Sequence, residues 1–176
     1  MLNRKHARII LLFFILCFIS TCFKVKAHKP TPELKQLSKE TQKQIRCLAE
    51  NIYYEAVGES RKGKIAVAFV TLNRVNHVAY PNTVCGVVTQ EYKGMCQFSW
   101  FCQKQKRQNF LRNVTSKKDS DSYHQILKLA TYVYLNQRLI KDPTNGSLFY
   151  HADYINPEWN LKKSIQIGKH IFYNCK

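Results

Sequence analysis

Acidic residues are scarce in this chain. Only 11 of its 176 residues are Asp or Glu, against 28 Lys and Arg, which gives a formal net charge of +17. Such a balance favours attraction to polyanions, among them nucleic acids and the anionic polymers of cell surfaces. The alternative is that the charge only makes a soluble basic surface. In such a chain, two carboxylates at helical spacing, Glu55 and Glu59, raise the question of an active-site acid.

The chain also lacks an apolar run of the length that a membrane span needs near its amino terminus. Three basic residues precede eleven apolar residues, 9–19, whereas a spanning helix needs about 18. The apolar run is followed by a segment that ends in the small residue Ala27, as at a signal-peptide cleavage site. This pattern predicts a secretory signal peptide over residues 1–27 that is cleaved after Ala27. A retained peptide is the main alternative, and a lipoprotein modified at Cys22 is a minor one, because Thr21 fits that pattern poorly.

No CxxC pair occurs, and the six histidines are scattered. The sequence therefore argues against a zinc site, and we expect neither a metal nor another cofactor. Five cysteines follow the predicted cleavage site, namely Cys47, Cys85, Cys96, Cys102 and Cys175. Disulfides are the default after export, and the odd number leaves at least one thiol unpaired or bonded to another chain. The spacing leaves the connectivity open.

The chain shows no internal repeat and has room for one domain after the signal peptide. Residues 28–43 are polar, contain two prolines and lack a sustained apolar period, which is typical of a linker. Residues 44–176 are long enough to bury a core of their own. We therefore predict one folded domain over 44–176.

Helical periods dominate this domain. Apolar residues recur at helical spacing from Ile45 to Ala56, and Gly58 ends the pattern. Further helices are predicted over 62–76, 84–90 and 120–138, the first of them apolar nearly all round and therefore central. The buried side of the last helix is expected to comprise Ile126, Leu129, Ala130, Val133 and Leu135 or their neighbours.

The remaining segments are less regular. Residues 91–118 give no clean period and are predicted as loop and short helix that a disulfide could clip. The segment GSLFYHADYINPEW is rich in turns and aromatic rings, and SIQIGKHIFYNC alternates around a glycine, which predicts a small hairpin. The fold class is therefore α+β, mostly helical with a small β element near the carboxyl terminus.

Glu55 stands at the border between the buried and the solvent side of the first helix, about 80° from the centre of the apolar stripe. A carboxylic acid acts as a general acid near neutral pH only when its surroundings raise its pKa, chiefly by desolvation. Tyr53, Tyr54 and the break at Gly58 place Glu55 in surroundings of that kind. The alternative is that Glu55 only caps or solvates the helix end.

Two clusters combine hydrogen-bonding side chains with aromatic rings. The clusters are Gln97, Phe98, Ser99 and Trp100, and then Tyr150, His151, Tyr154 and Trp159. Rings can cover the apolar side of a pyranose while amides and hydroxyls bind its rim. A sugar-binding cleft is one interpretation of these clusters, and plain core packing is the other.

Five segments in order carry a resemblance that covers about residues 44–175. They are CLAENIYYEAVGESRKGKIAVAFVTLNRV, YPNTVCGVV, CQFSWFC, FYHADYINPEW and IGKHIFY. Together they closely resemble the SleB-type cell wall hydrolases, a family named for a spore-cortex-lytic enzyme. The resemblance implies a peptidoglycan hydrolase with a lysozyme-like or lytic-transglycosylase-like catalytic domain.

The resemblance also implies roles for single residues. The family's catalytic glutamate lies in a YxEAxGE block, and Glu55 is the matching residue. For Glu59, the second acid of that block, a structural role is as open as a catalytic one, and His170 is expected to be structural. Val57 stands where relatives often carry Arg, which leaves the electrostatics around Glu55 open. The implied substrate-binding residues are Tyr54, Gln97, Phe98, Ser99, Trp100, Tyr150, His151 and Tyr154.

The implied reaction cleaves the glycan strand between N-acetylmuramic acid and N-acetylglucosamine, with Glu55 as the acid. A lytic transglycosylase needs this one acid, which suits a chain with so few, whereas a two-carboxylate hydrolase would require a partner such as Asp153. Cleavage of the amide between muramic acid and the stem peptide is a second hypothesis, and a non-catalytic basic protein that binds cell wall or nucleic acid is a third.

The expected partners follow from the same resemblance and from the basic charge. They are peptidoglycan strands and other anionic envelope polymers. No nucleic-acid-binding motif occurs, so nucleic acid is not expected. We expect a monomer that is secreted across the inner membrane and is periplasmic or associated with the cell wall.

Overall fold

A computed structural model describes residues 31–103, Gln108 and 117–175, and Thr31–Lys176 form one compact unit. A short 3-10 helix, Leu34–Gln36, comes first. The elements that follow are α1 (Lys39–Ala56), α2 (Arg61–Val75), α3 (Val84–Val88), β1 (Glu91–Tyr92), β2 (Met95–Cys96), α4 (Ser99–Cys102), α5 (Lys117–Asn136), β3 (Phe149–Ala152), β4 (Lys162–Ile167) and β5 (His170–Asn174). The α+β, mostly helical prediction is confirmed. Part of the irregular segment 91–118 lies outside the described residues.

Helix α1 begins inside the segment that the sequence assigned to a linker. The hydroxyl of Ser38 accepts a hydrogen bond from the Thr41 amide over 3.2 Å and so caps the helix. Glu40 lies in the first turn, where a negative charge is favoured, and Gln44 is buried. Residues 39–43 are therefore helical rather than linker. The sequence placed the start of α1 too late because these polar residues give no apolar period.

The main core lies between α1, α3 and α5. Its buried side chains include Ile45, Leu48, Ile52, Val84, Val87, Ile126, Leu129, Ala130 and Val133. The predicted buried side of the last helix is confirmed except for Leu135, which is 36% exposed. Leu135 follows Val133 by two residues, about 200° around the helix, and so faces away from the core.

Helix α2 lies between the helical core and the sheet. Phe69 and Leu72 pack in the main core, whereas Val70 packs with Ile167 of β4 and Phe172 of β5 in a second cluster. Both sides of α2 are buried, which confirms its predicted central position. Helix α2 therefore packs against the helical core on one side and against the strands near the candidate site on the other.

The carboxyl-terminal sheet has three antiparallel strands in the order β3-β5-β4. The predicted hairpin is confirmed as β4 and β5, and its turn contains Gly168 at φ +58°, a conformation that favours glycine. The sequence missed β3. Residues 149–152 pair along β5 from Phe149 opposite Tyr173 to Ala152 opposite His170, so the aromatic segment covers an edge that a lone hairpin would expose.

Two disulfides hold the helical part. Cys47 on α1 is bonded to Cys85 on α3, and Cys96 is bonded to Cys102 across the loop that carries Gln97 and α4. Cys175 is an exposed free thiol. The expectation of disulfides with one thiol left over is confirmed. Within the described residues, no helix is both long and apolar enough to span a membrane.

Candidate active site

A cavity of about 270 Å³ opens where α1, α2 and β3 meet the loop that the Cys96–Cys102 disulfide closes, called the clipped loop below. Its lining residues are Glu55, Arg74, Cys96, Gln97, Phe98, Ser99, Phe149, Tyr150 and Trp159. Five of the residues predicted for catalysis or substrate binding are thus brought together from three distant segments. Among the described lining residues, Glu55 is the only carboxylic acid.

Glu55 and Tyr150 are joined by a hydrogen bond. The hydroxyl of Tyr150 donates to Oε2 of Glu55 over 3.0 Å. Desolvation, followed by the neighbouring Glu55 carboxylate, raises the pKa of Tyr150 well above its usual value. Tyr150 therefore remains a protonated donor at neutral pH and fixes the orientation of the Glu55 carboxyl group.

The ring of Tyr150 is held by the sheet. It contacts His170 edge-on, with 5.2 Å between ring centroids, and Phe172 at 5.6 Å. Phe172 is fully buried under α2. The position of the phenol, and with it the orientation of Glu55, therefore depends on the packing of β5 against α2.

A buried network holds the clipped loop against α1 and α2. The indole of Trp100 donates to Oδ1 of Asn51 over 3.1 Å, and Nδ2 of Asn51 donates to Thr71 over 3.0 Å. Trp100 also stacks on Tyr54 with ring centroids 4.3 Å apart. Tyr54 and Trp100 do not line the cavity, and only 4% of Trp100 is exposed. The stack of these two predicted substrate contacts joins α1 to the loop between Cys96 and Cys102.

Gln97, Phe98 and Ser99 line the cavity itself. Gln97 and Ser99 are exposed, whereas Phe98 is buried. The backbone N–H of Gln97 donates to the backbone carbonyl of Gln90 over 2.9 Å, which fixes the loop backbone. The loop thus presents the amide side chain of Gln97 and the hydroxyl of Ser99 beside the buried apolar ring of Phe98.

Arg74 lies in the same wall, and the sequence analysis did not select it. Its side chain is only 3% exposed, and Nε donates to the Leu148 carbonyl over 2.8 Å. Desolvation lowers the pKa of Arg74, and attraction to Tyr150, Tyr80 and Glu55 opposes that effect. A charged residue inside a helix predicted to be apolar nearly all round was the signal that could have identified it.

The other aromatic residues of the second cluster occupy the rim. Trp159 is 43% exposed and contacts Phe149 and His151 edge-on, at 6.1 and 5.5 Å. His151 stacks on Tyr173, and its Nε2 hydrogen-bonds the Tyr173 hydroxyl over 2.9 Å. Tyr154 is 81% exposed. Trp159 lines the cavity, whereas His151 and Tyr154 do not.

The other candidate acids lie outside the cavity. Oε1 of Glu59 accepts a hydrogen bond from the Lys169 amide over 3.4 Å, and Nζ of Lys64 donates to the Glu59 carbonyl. Glu59 thereby joins the α1–α2 loop to the β4–β5 turn. Asp153 is exposed, and its amide donates to the Lys169 carbonyl over 2.8 Å.

The arrangement suits proton transfer to a sugar. It combines one carboxyl group held by a phenol, amide and hydroxyl side chains for hydrogen bonding, and an exposed indole that can cover a pyranose ring. In the ranges that the structure describes, no group of three or more His, Cys, Asp or Glu residues is placed to hold a metal ion.

Comparisons with known proteins agree with this geometry. The sequence pattern of the family described as Cell Wall Hydrolase matches residues 58–173. The spore cortex-lytic enzyme of Bacillus cereus is 31% identical over 143 residues, which cover 77% of this chain and 45% of the relative. That of Bacillus subtilis is 30% identical over 135 residues, which cover 73% and 36%. This chain thus spans less than half the length of either relative.

Solved structures are similar over almost a whole domain. The catalytic domain of the germination-specific lytic transglycosylase SleB from Bacillus anthracis superposes with a TM-score of 0.54 at 28% identity, covering 78% of this chain and 97% of that one. The catalytic domain of Bacillus cereus SleB gives a TM-score of 0.52 at 29% identity, covering 76% and 91%. These neighbours confirm the lysozyme-like fold that the resemblance implied.

The family match begins at Gly58 and so includes Glu59 but not Glu55. The choice of Glu55 as the candidate acid therefore rests on the geometry of the cavity rather than on the matched segment. The matched segment covers both the clipped loop and the strands that carry Tyr150 and Trp159. Because the family pattern matches most of the chain, and the relatives and the fold agree with it, the protein belongs to the cell wall hydrolase family.

Proposed function

We propose that this protein cleaves the glycan strand of peptidoglycan between N-acetylmuramic acid and N-acetylglucosamine as a lytic transglycosylase, with Glu55 as its one catalytic acid. The observation that carries the proposal is the cavity in which Glu55, the one carboxylic acid among the described lining residues, accepts a hydrogen bond from Tyr150. The names of the SleB relatives support the same reaction class.

The proposed reaction uses Glu55 twice. Its carboxylic acid first protonates the glycosidic oxygen, so that the bond from C1 to that oxygen breaks as positive charge develops at C1. The resulting carboxylate then accepts the proton of the C6 hydroxyl of the muramic residue while that oxygen attacks C1. The product is a 1,6-anhydro ring, Glu55 is again protonated, and no water is consumed.

The other residues of the cavity have supporting roles in this proposal. Tyr150 keeps the Glu55 carboxyl group in one orientation through both proton transfers. Gln97 and Ser99 would hydrogen-bond the sugar, and Trp159 would cover its apolar side. Phe98 and Phe149 exclude water from beneath the bound ring. Tyr54 and Trp100 act on substrate only through the loop that they hold.

The amino-terminal assignments remain part of the proposal. Residues 1–27 would direct export, and the catalytic domain would act in the periplasm or at the cell wall. The excess of Lys and Arg over acids would attract the carboxylates of peptidoglycan and other anionic envelope polymers. We propose that the protein acts as a monomer without a cofactor.

Mass spectrometry of the soluble products formed from purified peptidoglycan tests the reaction. The parent protein is compared with Glu55→Gln and with Glu33→Gln, which removes an exposed carboxylate paired with Lys35 outside the cavity. We expect 1,6-anhydro muropeptides from the parent and from Glu33→Gln, and none from Glu55→Gln.

Other products would contradict the proposal in different ways. Reducing-end muramic acid would mean hydrolysis by water. Free stem peptides that disappear with a chelator would mean a metal-dependent amidase. Binding of intact glycan without release of product would mean a wall-binding protein rather than an enzyme.

A further inference from the structure

Arg74 is a buried cation for which the described residues provide no direct ion pair. Only 3% of its side chain is exposed. Among the described residues, no ion pair within 4.0 Å is seen for Arg74. A charge taken out of water is costly unless it is paired or hydrogen-bonded, so a buried arginine of this kind requires an explanation.

Aromatic rings and one carbonyl hold the guanidinium in place. Its Cζ lies 5.2 Å from the ring centroid of Phe98, 5.4 Å from that of Tyr80 and 5.9 Å from that of Phe149. The carbonyl of Leu148, just before β3, accepts from Nε. These contacts fix the position of the charge, because rings on several sides leave the planar group little freedom.

The hydrogen-bonding capacity of Arg74 is not used up. Nη1 is buried and has no hydrogen-bond partner within the described part of the chain. The residue lines the same cavity as Glu55 and Tyr150, and both attract its charge. A protein that only needed to fill this volume would gain by placing an apolar side chain there.

We propose that Arg74 is a positioning residue of the transglycosylase reaction, a fixed cation that stabilises Glu55 in its carboxylate state after the acid has given its proton to the glycosidic oxygen. This inference rests on the proposed function. Before proton transfer Glu55 is neutral and gains little from the cation. Once the glycosidic bond breaks, the carboxylate shares its cavity wall with a buried charge that does not have to reorganise.

Other titratable groups face the pair and must be considered with it. Tyr150 approaches Glu55 from β3, and His170 of β5 contacts the Tyr150 ring. The ring of Tyr80 packs against the guanidinium of Arg74, with its centroid 5.4 Å from Cζ. Tyr80 and Tyr150 both have raised pKa values and remain neutral through the physiological range. Arg74 is therefore the permanent charge among these groups.

The first test measures the ionisation of Glu55 without reference to activity. Glutamate labelled with 13C at the side-chain carboxyl is followed by NMR across pH in the parent protein, with the Glu55 signal identified by its loss in Glu55→Gln. We expect Arg74→Met to move the Glu55 midpoint to higher pH, because removal of the cation destabilises the carboxylate. Arg74→Lys, which keeps a charge, should move it less. Arg138→Met removes an exposed arginine and should leave it unchanged.

The second test measures kcat/KM for release of anhydro products across pH. We expect Arg74→Met to lower the maximal value about tenfold and to move the alkaline limb to higher pH, in parallel with the NMR midpoint. An unmoved Glu55 midpoint in a folded Arg74→Met protein would overturn the inference, and so would a rise in KM with an unchanged limb. If the parent releases no anhydro product, the proposed function fails, whereas the NMR result still reports whether Arg74 acts on Glu55.

Discussion

Tyr150 donates a hydrogen bond to Glu55 from a position 95 residues later in the chain. The acid lies at the end of the first long helix and the phenol on the first strand of the carboxyl-terminal sheet. The candidate site is therefore complete only when the sheet has docked against α2. Catalytic geometry and tertiary packing are coupled through this one contact.

Removal of the Tyr150 hydroxyl should lower kcat more than it raises KM. Tyr150→Phe keeps the ring contacts with His170 and Phe172 but loses the hydrogen bond, and bonds to charged groups contribute about 1.5–3 kcal/mol. We expect kcat for anhydro-product release to fall by about ten- to a hundredfold. Steady-state kinetics on purified glycan strands would measure the effect. Tyr173→Phe, which removes a hydroxyl bonded to His151, is the matched control. An unchanged kcat in Tyr150→Phe would mean that the bond does not orient the acid.

Glu59 should contribute to stability rather than to catalysis. Its carboxylate accepts from the Lys169 amide and lies against Gly168 in the β4–β5 turn. Glu59→Ala should lower the free energy of unfolding by about 1 kcal/mol, the typical contribution of one hydrogen bond, measured by urea denaturation. Activity per folded molecule should remain close to that of the parent. A loss of kcat comparable to that of Glu55→Gln would instead give Glu59 a chemical role.

The two disulfides should have different effects. Chain-entropy estimates give about 4 kcal/mol for a loop of the Cys47–Cys85 separation and about 2 kcal/mol for that of Cys96–Cys102, which span 38 and 6 residues. Cys47→Ser with Cys85→Ser should therefore lower Tm more. Cys96→Ser with Cys102→Ser should raise KM more, because the short bridge holds the loop of Gln97 and Ser99. Thermal denaturation and kinetics of the two double variants check this, and equal effects on KM would contradict it.

His170 should make stability depend on pH below neutrality. Burial lowers the pKa of His170 below its usual 6.5, and the charges of Glu59 and Asp153 oppose this effect. A lowered folded-state pKa means that the unfolded chain binds the proton more readily. The contribution is therefore complete above pH 6.5 and is lost as the pH falls through the folded-state pKa. Urea unfolding at a series of pH values should show a smaller loss below pH 6.5 in His170→Gln than in the parent. His124→Gln, at an exposed histidine, should behave like the parent.

Periodicity predicted most of the helical part, because apolar stripes such as that from Ile45 to Ala56 are properties of local sequence. It failed at segments whose structure is not set by an apolar period. Strand β3 is defined by its partner β5, and the start of α1 by a cap at Ser38 rather than by apolar residues. Both failures concern polar or aromatic segments without a period of their own.

The candidate site was predicted in part for the same reason. Glu55 stood out by its place on a helix border, and the aromatic clusters stood out by composition. Neither feature reveals which rings face the cavity, so Trp100 and Tyr54 could not be distinguished from Phe98 by sequence. Arg74 escaped notice because its role depends on three rings from separate segments, which only the fold brings together.

The bridge between Cys96 and Cys102 also determines when the proposed active site is complete. Two thiols form this bond only in an oxidising compartment. Until then the loop of Gln97 and Ser99 is not closed by a covalent cross-link. A newly made chain inside a reducing cell would thus carry Glu55 beside an unfinished cleft. Oxidation of Cys96 and Cys102 would therefore complete the proposed cleft only after the chain has reached an oxidising compartment.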